Sequence, residues 1–335
     1  MRYRLLGSSG LRVSELALGT MTFGETWGWG ASPDESRRIL GAFVEAGGNF
    51  LDTASNYTDG ASEELVGELA ASDRDRFVIG TKFTLTTRPD DPNSGGNHRK
   101  SLVASLERSL RRLRTDRVDL LWVHMWDGVT PVEEVVRALD DLVRAGKVLH
   151  VGVSDTPAWA VARAHAIASL RGWTPFTAVQ LPYTLADRGA ERELLPMARE
   201  LGVAVLCWGV LEGGVLTGKY LSPDGGPRRY ESAGERGQAV ARAVAAVAAD
   251  AGCTPAHAAL AWVRRQPGNV IPIVGARTEA QLRENLGCLD VELSEAQATR
   301  LEAAAPLDLG FPQSFLASQH VTELIFGTTR ELIDV

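Results

Sequence analysis

The feature that most constrains this chain is a unit of apolar run, loop and helix-like segment that recurs along most of its 335 residues. Eight runs predict strands, at residues 16–20, 50–53, 77–83, 118–124, 148–153, 177–181, 203–210 and 270–274. Helices are predicted from about residues 32, 62, 98, 131, 157, 190, 236, 255 and 278, with one more over 294–305. The first has a clear start signal, because Ser32 precedes a proline and Glu35 follows three residues later.

Each run is continuously apolar rather than alternating, which indicates strands covered on both faces and therefore a parallel sheet. Eight such units favour a closed (β/α)8 TIM barrel over an open, doubly wound sheet. An open sheet that binds a dinucleotide would carry G-x-G-x-x-G after its first strand, and residues 16–24 lack this motif. No linker or change of composition divides the chain, so we predict a single barrel domain over residues 1–335.

Two segments lie outside this repeat. Residues 3–6 and 11–13 flank the turn cluster Gly7-Ser8-Ser9-Gly10, which predicts an N-terminal β-hairpin. Residues 306–335 have no clear period but keep several apolar side chains, namely Phe311, Phe315, Leu316 and Phe326. We therefore predict a C-terminal apolar tail that forms a lid across one end of the barrel.

Composition disfavours several other classes of protein. With 44% hydrophobic and 23% charged residues the chain is typical of a globular protein, and its net charge of −7 disfavours nucleic acid or an anionic membrane as a partner. Cys207, Cys253 and Cys288 lack the spacing of a disulfide framework or a zinc site, so we expect no metal. No apolar run has the length of a signal peptide or a membrane span, which favours the cytoplasm. The oligomeric state does not follow from the sequence.

Ionisable residues recur at the carboxyl ends of the predicted strands, which face one mouth of a barrel. Asp52 ends the second strand and Tyr57 lies in its loop, while Lys82 lies in the third strand and His124 ends the fourth. Taken singly, Lys82 could reach solvent and His124 could be a hydrogen-bonded core residue. Burying a lysine is costly without an acid beside it, so we predict that Asp52 pairs with Lys82.

Motifs at these strand ends resemble, in order, those of the aldo-keto reductases, which are nicotinamide-dependent carbonyl reductases built on a (β/α)8 barrel. The matching stretches are LGTMTFG at 18–24, DTASNY at 52–57, GTK at 80–82, LWVH at 121–124, GVSD at 152–155, VQ at 179–180, LTGKY at 216–220 and IVGAR at 273–277. Together they cover most of the chain. The resemblance implies the barrel fold and a small-molecule carbonyl or alcohol substrate.

The resemblance also implies a catalytic tetrad of Asp52, Tyr57, Lys82 and His124. Hydride addition leaves negative charge on the carbonyl oxygen, and Tyr57 is the predicted general acid that neutralises it. A free phenol has a pKa near 10, and we expect the Lys82 ammonium to bring the pKa of Tyr57 closer to the working range. Asp52 is expected to keep Lys82 protonated, and His124 to donate to the carbonyl oxygen and orient the substrate.

The cofactor implied by the resemblance is NADP(H). Ser154, Asp155 and Gln180 would bind the nicotinamide carboxamide, and Trp208 would stack on the ring. Arg277 would meet the 2′-phosphate, because a guanidinium matches phosphate oxygens bidentately. The predicted contacts, including a glycine-rich loop for the pyrophosphate, are Gly19, Thr20, Met21, Asp52, Ser154, Asp155, Gln180, Trp208, Gly209, Val210, Leu211, Gly213, Gly214, Leu216, Gly218, Lys219, Gly275, Ala276, Arg277, Gln281, Glu284 and Asn285.

Four places depart from the pattern of the family. Asp155 stands where many relatives have asparagine, and Trp208 stands where many have tyrosine or phenylalanine. Gly209-Val210 replaces a common Ser-Pro, and Gln281 occupies a place where one branch has an arginine for the phosphate. These departures leave the reaction class intact. They put in question the strength of cofactor binding and the preference for the 2′-phosphate.

We expect an aromatic or otherwise apolar aldehyde or ketone as the substrate. The predicted pocket consists of Trp27, Trp29, Tyr57, His124 and Trp126, although the tryptophans could equally be ordinary packing residues. Residues 97–101 and 124–127 look like the branch of the family that includes aryl-alcohol dehydrogenases. An aryl aldehyde is therefore the favoured substrate.

Three alternatives stay open on the sequence alone. Bacterial relatives with similar motifs reduce nucleotide-linked deoxysugars. The resemblance also extends to potassium-channel β subunits, which bind the cofactor in a regulatory role. A Schiff base on Lys82 is disfavoured, because it needs a neutral lysine and Asp52 would oppose that.

Overall fold

The structure is a computed structural model that describes residues 1–222 and 228–333. At its centre is a closed barrel of eight parallel strands, in which the last strand pairs with the first. In chain order these strands are β3 Ala17–Gly19, β4 Phe50–Asp52, β5 Val78–Phe83, β6 Val118–Val123, β7 Val148–Ser154, β8 Ala178–Pro182, β9 Ala204–Trp208 and β10 Val270–Gly275. The predicted (β/α)8 barrel is confirmed.

The predicted N-terminal hairpin is also confirmed, with strands β1 Tyr3–Leu5 and β2 Arg12–Ser14 paired antiparallel. Leu6 and Val13 are fully buried in the same apolar cluster as Phe50 and Trp122 inside the barrel. The hairpin therefore closes the amino-terminal end of the barrel. This leaves the opposite end, where the strands finish, as the accessible mouth.

The described helices cover the outside of the barrel. Their bounds are α1 Pro33–Glu45, α2 Ala61–Ala70, α3 Arg99–Arg112, α4 Val132–Arg144, α5 Ala158–Arg171, α6 Leu194–Glu200, α7 Gly234–Asp250, α8 Pro255–Arg264, α9 Glu279–Leu286, α10 Glu295–Ala304, α11 Gln313–Leu316 and α12 Gln319–Phe326. None of them is long and apolar enough to span a membrane.

Capping residues fix where several helices begin. The side chain of Ser32 accepts the N–H of Glu35 at the start of α1, as predicted, and Ser294 forms a capping box with Gln297 at the start of α10. Helix α6 begins at Leu194 rather than near residue 190, because Gly189–Glu191 form a separate short 3-10 turn.

The C-terminal tail lies against the loop between β8 and α6. Arg192 Nε donates to the carbonyl of Asp308 at 2.9 Å, and Gln313 Nε2 donates to the carbonyl of Arg192 at 2.9 Å. Phe311 and Phe315 stay exposed. The tail therefore lies at the same end of the barrel as the mouth. Residues 334–335 of the predicted lid lie outside the described residues.

Trp122 fills the middle of the barrel, and two glycines on the neighbouring strands make room for it. A Cβ built on Gly80 would lie 2.9 Å from the indole nitrogen, and one on Gly152 would lie 2.4 Å from the indole ring. Trp122 is fully buried. It forms the floor beneath the residues at the mouth, since His124 follows two positions later and points to the same side of the sheet.

Replacing Gly152 by alanine is expected to destabilise the protein by about 1–3 kcal/mol, because the added methyl group would force the Trp122 ring to move. Gly41, exposed on α1 with nothing near its Cβ position, is the matched control. Its replacement by alanine should stabilise the helix by about 0.5–1 kcal/mol. The measurement is the free energy of unfolding in urea, and wild-type stability of Gly152→Ala would contradict this packing.

Candidate active site

A buried lysine lies at the centre of the barrel mouth. Lys82 Nζ donates to Asp52 Oδ2 at 2.6 Å, to the carbonyl of Thr53 at 2.9 Å and to Tyr57 Oη at 3.0 Å. An ammonium group has three protons to donate, and these three acceptors use all of them. Lys82 is fully buried. The predicted pairing of Lys82 with Asp52 is thus present in the structure.

Both oxygens of the Asp52 carboxylate are bonded. Oδ2 accepts from Lys82, and Oδ1 accepts from Gln180 Nε2 at 2.9 Å. Burial lowers the pKa of Lys82, but the charge of Asp52, together with the hydrogen bonds to Asp52 and Tyr57, outweighs this effect and raises the pKa above the ordinary value. Lys82 is therefore charged at neutral pH, as the sequence analysis expected.

Tyr57 lies beside this ammonium group but keeps its proton. Burial raises the pKa of Tyr57 above its ordinary value, the Lys82 charge lowers it only in part, and the Asp52 charge raises it again. The expectation of a lowered pKa is therefore wrong for this arrangement. The physical reason is that a buried phenolate loses its contacts with water, and Asp52 offsets much of the charge of Lys82.

His124 completes the set at the end of β6. Its ring lies edge-on to the Tyr57 ring, with centroids 6.2 Å apart and an interplanar angle of 82°. Burial, and then the Lys82 charge, lower the pKa of His124 to about 3. The imidazole is therefore neutral at pH 7, and its buried Nδ1 has no hydrogen-bond partner in the described structure.

The loop that carries Tyr57 is strained and is braced from outside the barrel. Thr58 and Asp59 have φ angles of 46° and 58°, a region that residues other than glycine rarely adopt. Arg112 Nη1 donates to the carbonyl of Ser55 at 2.8 Å, and its guanidinium lies against Gly60 so closely that a Cβ there would be 2.3 Å from Cζ. Arg112 thereby holds both ends of the loop.

A buried carboxylate links this brace to the strand that bears Lys82. Glu63 is fully buried, accepts from Thr81 Oγ1 at 2.6 Å and pairs with Arg112 at 3.3 Å. Sequence reasoning missed Arg112 and Glu63. Glu63 could have been found, because it is an acidic residue on the buried face of a helix. Arg112 could not, because no nearby sequence pattern links it to Ser55, which is 57 positions away.

The residues predicted to hold a nicotinamide group lie together at the ends of three adjacent strands. Ser154 ends β7 and is buried, Asp155 follows it, and Gln180 is buried in β8. Trp208 ends β9 with 41% of its surface exposed, and its Nε1 donates to Asp155 Oδ1 at 3.2 Å. The two departures from the family pattern at positions 155 and 208 are therefore bonded to each other.

The first predicted loop supports the site through strand pairing and through two threonine hydroxyls. Gly19 pairs with Asp52 in the barrel register, and the buried Thr20 donates from Oγ1 to the carbonyl of Asp52 at 3.1 Å. Thr22 Oγ1 donates to the carbonyl of Ala276 at 2.6 Å and so ties the loop beyond Met21 to the loop that follows β10. Thr20 is thus a support for Asp52.

The glycine-rich loop after β9 bends through left-handed backbone. Gly213 and Gly214 have φ angles of 59° and 92°, and side chains at these positions would collide with Tyr230 and Lys219. The side chains of Val210 and Leu216 are buried in the core. Hence only their backbone can face a ligand. The other predicted contacts of this loop are Gly209, Leu211 and Gly218.

The loop after β10 presents an exposed arginine. The backbone N–H of Arg277 donates to Gln281 Oε1 at 3.0 Å, and Asn285 Nδ2 donates to the carbonyl of Gly275 at 3.4 Å. The Arg277 guanidinium forms no ion pair within residues 1–222 and 228–333. The backbone carbonyl of Glu284 lies 2.5 Å from His257 Nε2.

The predicted pocket tryptophans fall into two groups. Trp27 and Trp29 lie in the loop before α1 with ring centroids 5.7 Å apart, and Trp29 is exposed. Trp126 is partly buried and packs on the core next to the end of β6. Its backbone N–H is joined to the carbonyl of Asp155 at 3.5 Å. In the described part of the chain no cluster of acidic, histidine and cysteine side chains suits a metal ion.

Comparison with known proteins gives a consistent result. The model of the aldo/keto reductase family matches residues 15–306. A norsolorinic acid reductase of Emericella nidulans is 41% identical over 318 residues, which cover 92% of this chain and 82% of that protein. A putative aryl-alcohol dehydrogenase of Saccharomyces cerevisiae is 37% identical, and the alignment covers 94% of this chain and 89% of that protein. An aryl-alcohol dehydrogenase [NADP(+)] of Phanerodontia chrysosporium is 37% identical, and the alignment covers 93% of this chain and 88% of that protein.

Replacing His124 by glutamine is expected to change how stability depends on pH. The pKa is 6.5 ordinarily and about 3 in the folded protein, so below pH 6.5 the unfolded chain takes up a proton that the folded protein does not. The free energy of unfolding of the wild-type protein should therefore fall below pH 6.5, by about 1.4 kcal/mol per pH unit, and this loss is absent above pH 6.5. The glutamine variant does not titrate and should lack this dependence. Urea unfolding of both proteins between about pH 7 and pH 5 measures this. Parallel slopes would contradict a buried neutral histidine.

Proposed function

The chain belongs to the aldo/keto reductase family, and on that basis we propose that it is an NADP(H)-dependent oxidoreductase that reduces aldehydes or ketones to alcohols. The observation that carries the proposal is the buried cluster of Lys82, Asp52 and Tyr57 next to a neutral His124. Relatives named as aryl-alcohol dehydrogenases favour an aromatic substrate. The exposed Trp29 and the partly buried Trp126 are candidate walls for its ring.

Tyr57 is the proposed general acid. It holds its proton at neutral pH, and its oxygen lies 3.0 Å from Lys82 Nζ. When the proton passes to the carbonyl oxygen of the substrate, the phenolate left behind keeps a charged hydrogen-bond donor at this distance. Asp52 holds Lys82 in its charged state, and so acts through Lys82 rather than on the substrate.

His124 is proposed to orient the carbonyl group. A neutral imidazole can donate one hydrogen bond to the carbonyl oxygen without competing with Tyr57 as a proton source. Its ring stands edge-on to that of Tyr57, so both can reach one oxygen atom between them. The two donors would together stabilise the negative charge that develops there.

The residues at the mouth fit a nicotinamide dinucleotide, which would supply the hydride when bound. Ser154, Asp155 and Gln180 offer polar groups suited to a carboxamide, and Trp208 offers an aromatic face. The left-handed glycines 213 and 214 allow backbone to approach a pyrophosphate closely. We place the adenosine end at Gly275, Ala276, Arg277, Gln281 and Asn285.

A 2′-phosphate is the proposed partner of Arg277. Its guanidinium is exposed and unpaired in the described structure, whereas Arg283 in the following helix α9 is held by Glu45 and Glu279. A free guanidinium can bind phosphate oxygens without first breaking an ion pair. This supports NADP(H) over NAD(H).

Tyr57→Phe is expected to lower kcat for aldehyde reduction by about 10²- to 10⁴-fold, because the variant lacks the transferable proton. The assay is NADPH oxidation with a panel of aromatic and aliphatic aldehydes, ketones and sugars. Tyr3→Phe, which removes a hydroxyl bonded to Gly47 far from the mouth, is the control and should keep wild-type activity. Full activity of Tyr57→Phe would exclude Tyr57 as the acid.

The same assay separates an enzyme from a regulatory cofactor-binding subunit. Turnover of any aldehyde or ketone supports the enzyme. Binding of NADPH without turnover of any substrate in the panel would favour the regulatory alternative, and activity confined to sugars would favour a sugar reductase.

Arg277→Gln is expected to weaken NADPH binding by about 10- to 100-fold and to change NADH binding less than about twofold, because only NADPH carries the 2′-phosphate. Dissociation constants from fluorescence titration give the result. Arg283→Gln, in the helix α9 that follows this loop, is the matched control and should leave both constants unchanged. Equal weakening of both cofactors by Arg277→Gln would assign this arginine to another part of the dinucleotide.

A further inference from the structure

Two carboxylates lie at the barrel mouth near Tyr57, and they differ in one respect. Asp52 is paired with Lys82, whereas Asp155 forms no ion pair within the described ranges of the chain. Asp155 is exposed to the mouth. An unpaired negative charge in a site of this kind can act on any positive charge that a ligand brings.

The Asp155 side chain is held in a defined place. Its φ angle is 43°, a left-handed conformation that aspartate tolerates, and its backbone N–H donates to the carbonyl of Gln180 at 3.1 Å. Its Oδ1 accepts from Trp208 Nε1 at 3.2 Å. The carboxylate is therefore fixed between the ends of β7, β8 and β9, at the edge of the indole whose face is proposed to meet the nicotinamide ring.

The hydrogen bond from Trp208 also favours the charged form of Asp155. Partial burial raises the pKa of Asp155 above its ordinary value, and the Trp208 N–H and then the charge of Lys82 offset this rise only in part. The charge of Asp155 in turn raises the pKa of Tyr57, so the two groups interact electrostatically. A ring that exchanges hydride with a substrate held at Tyr57 must lie within the same field.

We propose that Asp155 sets the redox preference of the site. Its negative charge strengthens the binding of the oxidised, cationic nicotinamide more than the binding of the reduced, neutral one. This inference rests on the proposed function. The physical reason is that the ring gains or loses one unit of positive charge with each hydride transfer, while the charge on Asp155 is fixed.

The consequence for the reaction follows from a thermodynamic cycle. With the cofactor bound, alcohol oxidation would transfer a hydride, with its two electrons, from the alcohol carbon to the ring, and the hydroxyl proton would leave through Tyr57 to solvent. A residue that favours the oxidised cofactor by a given factor shifts the equilibrium of the bound states by the same factor, toward the oxidised cofactor with the alcohol. Asparagine at this position would lack that bias.

The test is Asp155→Asn, which is isosteric and keeps an oxygen to accept from Trp208. Dissociation constants for NADP+ and for NADPH are measured by calorimetry at pH 7. We expect the ratio of the NADP+ constant to the NADPH constant to rise by about three- to tenfold in the variant, as expected for unit charges in a partly solvated site. The rise should shrink at high salt.

Two further variants separate charge from shape. Asp155→Glu keeps the charge and should retain the wild-type ratio. Glu212→Gln removes another half-buried carboxylate of the mouth, one that accepts from Thr184 at 3.3 Å and forms no ion pair in the described residues. It lies on the loop proposed for the pyrophosphate, whose charge does not change on reduction, so both constants should shift equally.

The outcomes are distinct. If both cofactors bind and Asp155→Asn leaves the ratio unchanged, or if Asp155→Glu behaves like Asp155→Asn, the inference is overturned. If the wild-type protein binds neither cofactor, it is the proposed function that fails. Near-ultraviolet circular dichroism of each variant shows whether the mouth has kept its fold.

Discussion

The site depends on one buried ion pair, between Lys82 Nζ and Asp52 Oδ2. An ammonium group without water must have its three donors satisfied, and here Asp52, Thr53 and Tyr57 satisfy them. Removing one partner of such a pair leaves an uncompensated buried charge, at a cost of about 3–5 kcal/mol. The same bonds join β4, β5 and the loop of Tyr57, and Gln180 adds β8 through Asp52.

The rest of the barrel keeps this pair dry and in place. Trp122 forms a floor under it, the N-terminal hairpin closes the far end, and the Arg112 and Glu63 pair braces the strained loop from outside. Burial then sets the chemistry. It keeps the Tyr57 proton in place and holds His124 neutral, so that the Lys82 cation lies beside two groups able to donate to a carbonyl oxygen.

Much of this organisation could be predicted from the sequence. Continuous apolar runs indicated the parallel barrel, the turn cluster at residues 7–10 indicated the hairpin, and Ser32 marked the start of α1. The pairing of Lys82 with Asp52 followed from the cost of burying a lysine. The direction of the Tyr57 pKa did not follow, because it depends on how far burial and Asp52 offset Lys82.

The sequence by itself determined the barrel and which strands bear Asp52, Lys82 and His124, because apolar periodicity and strand order are local properties of the chain. Only the tertiary structure decided which side chains meet. The brace of Arg112 on Ser55 and the bond from Trp208 to Asp155 join residues 57 and 53 positions apart. Such contacts depend on barrel closure and side-chain packing, which no local pattern encodes. They leave Asp52 paired with Lys82, and Asp155 without an ion pair in the described part of the chain.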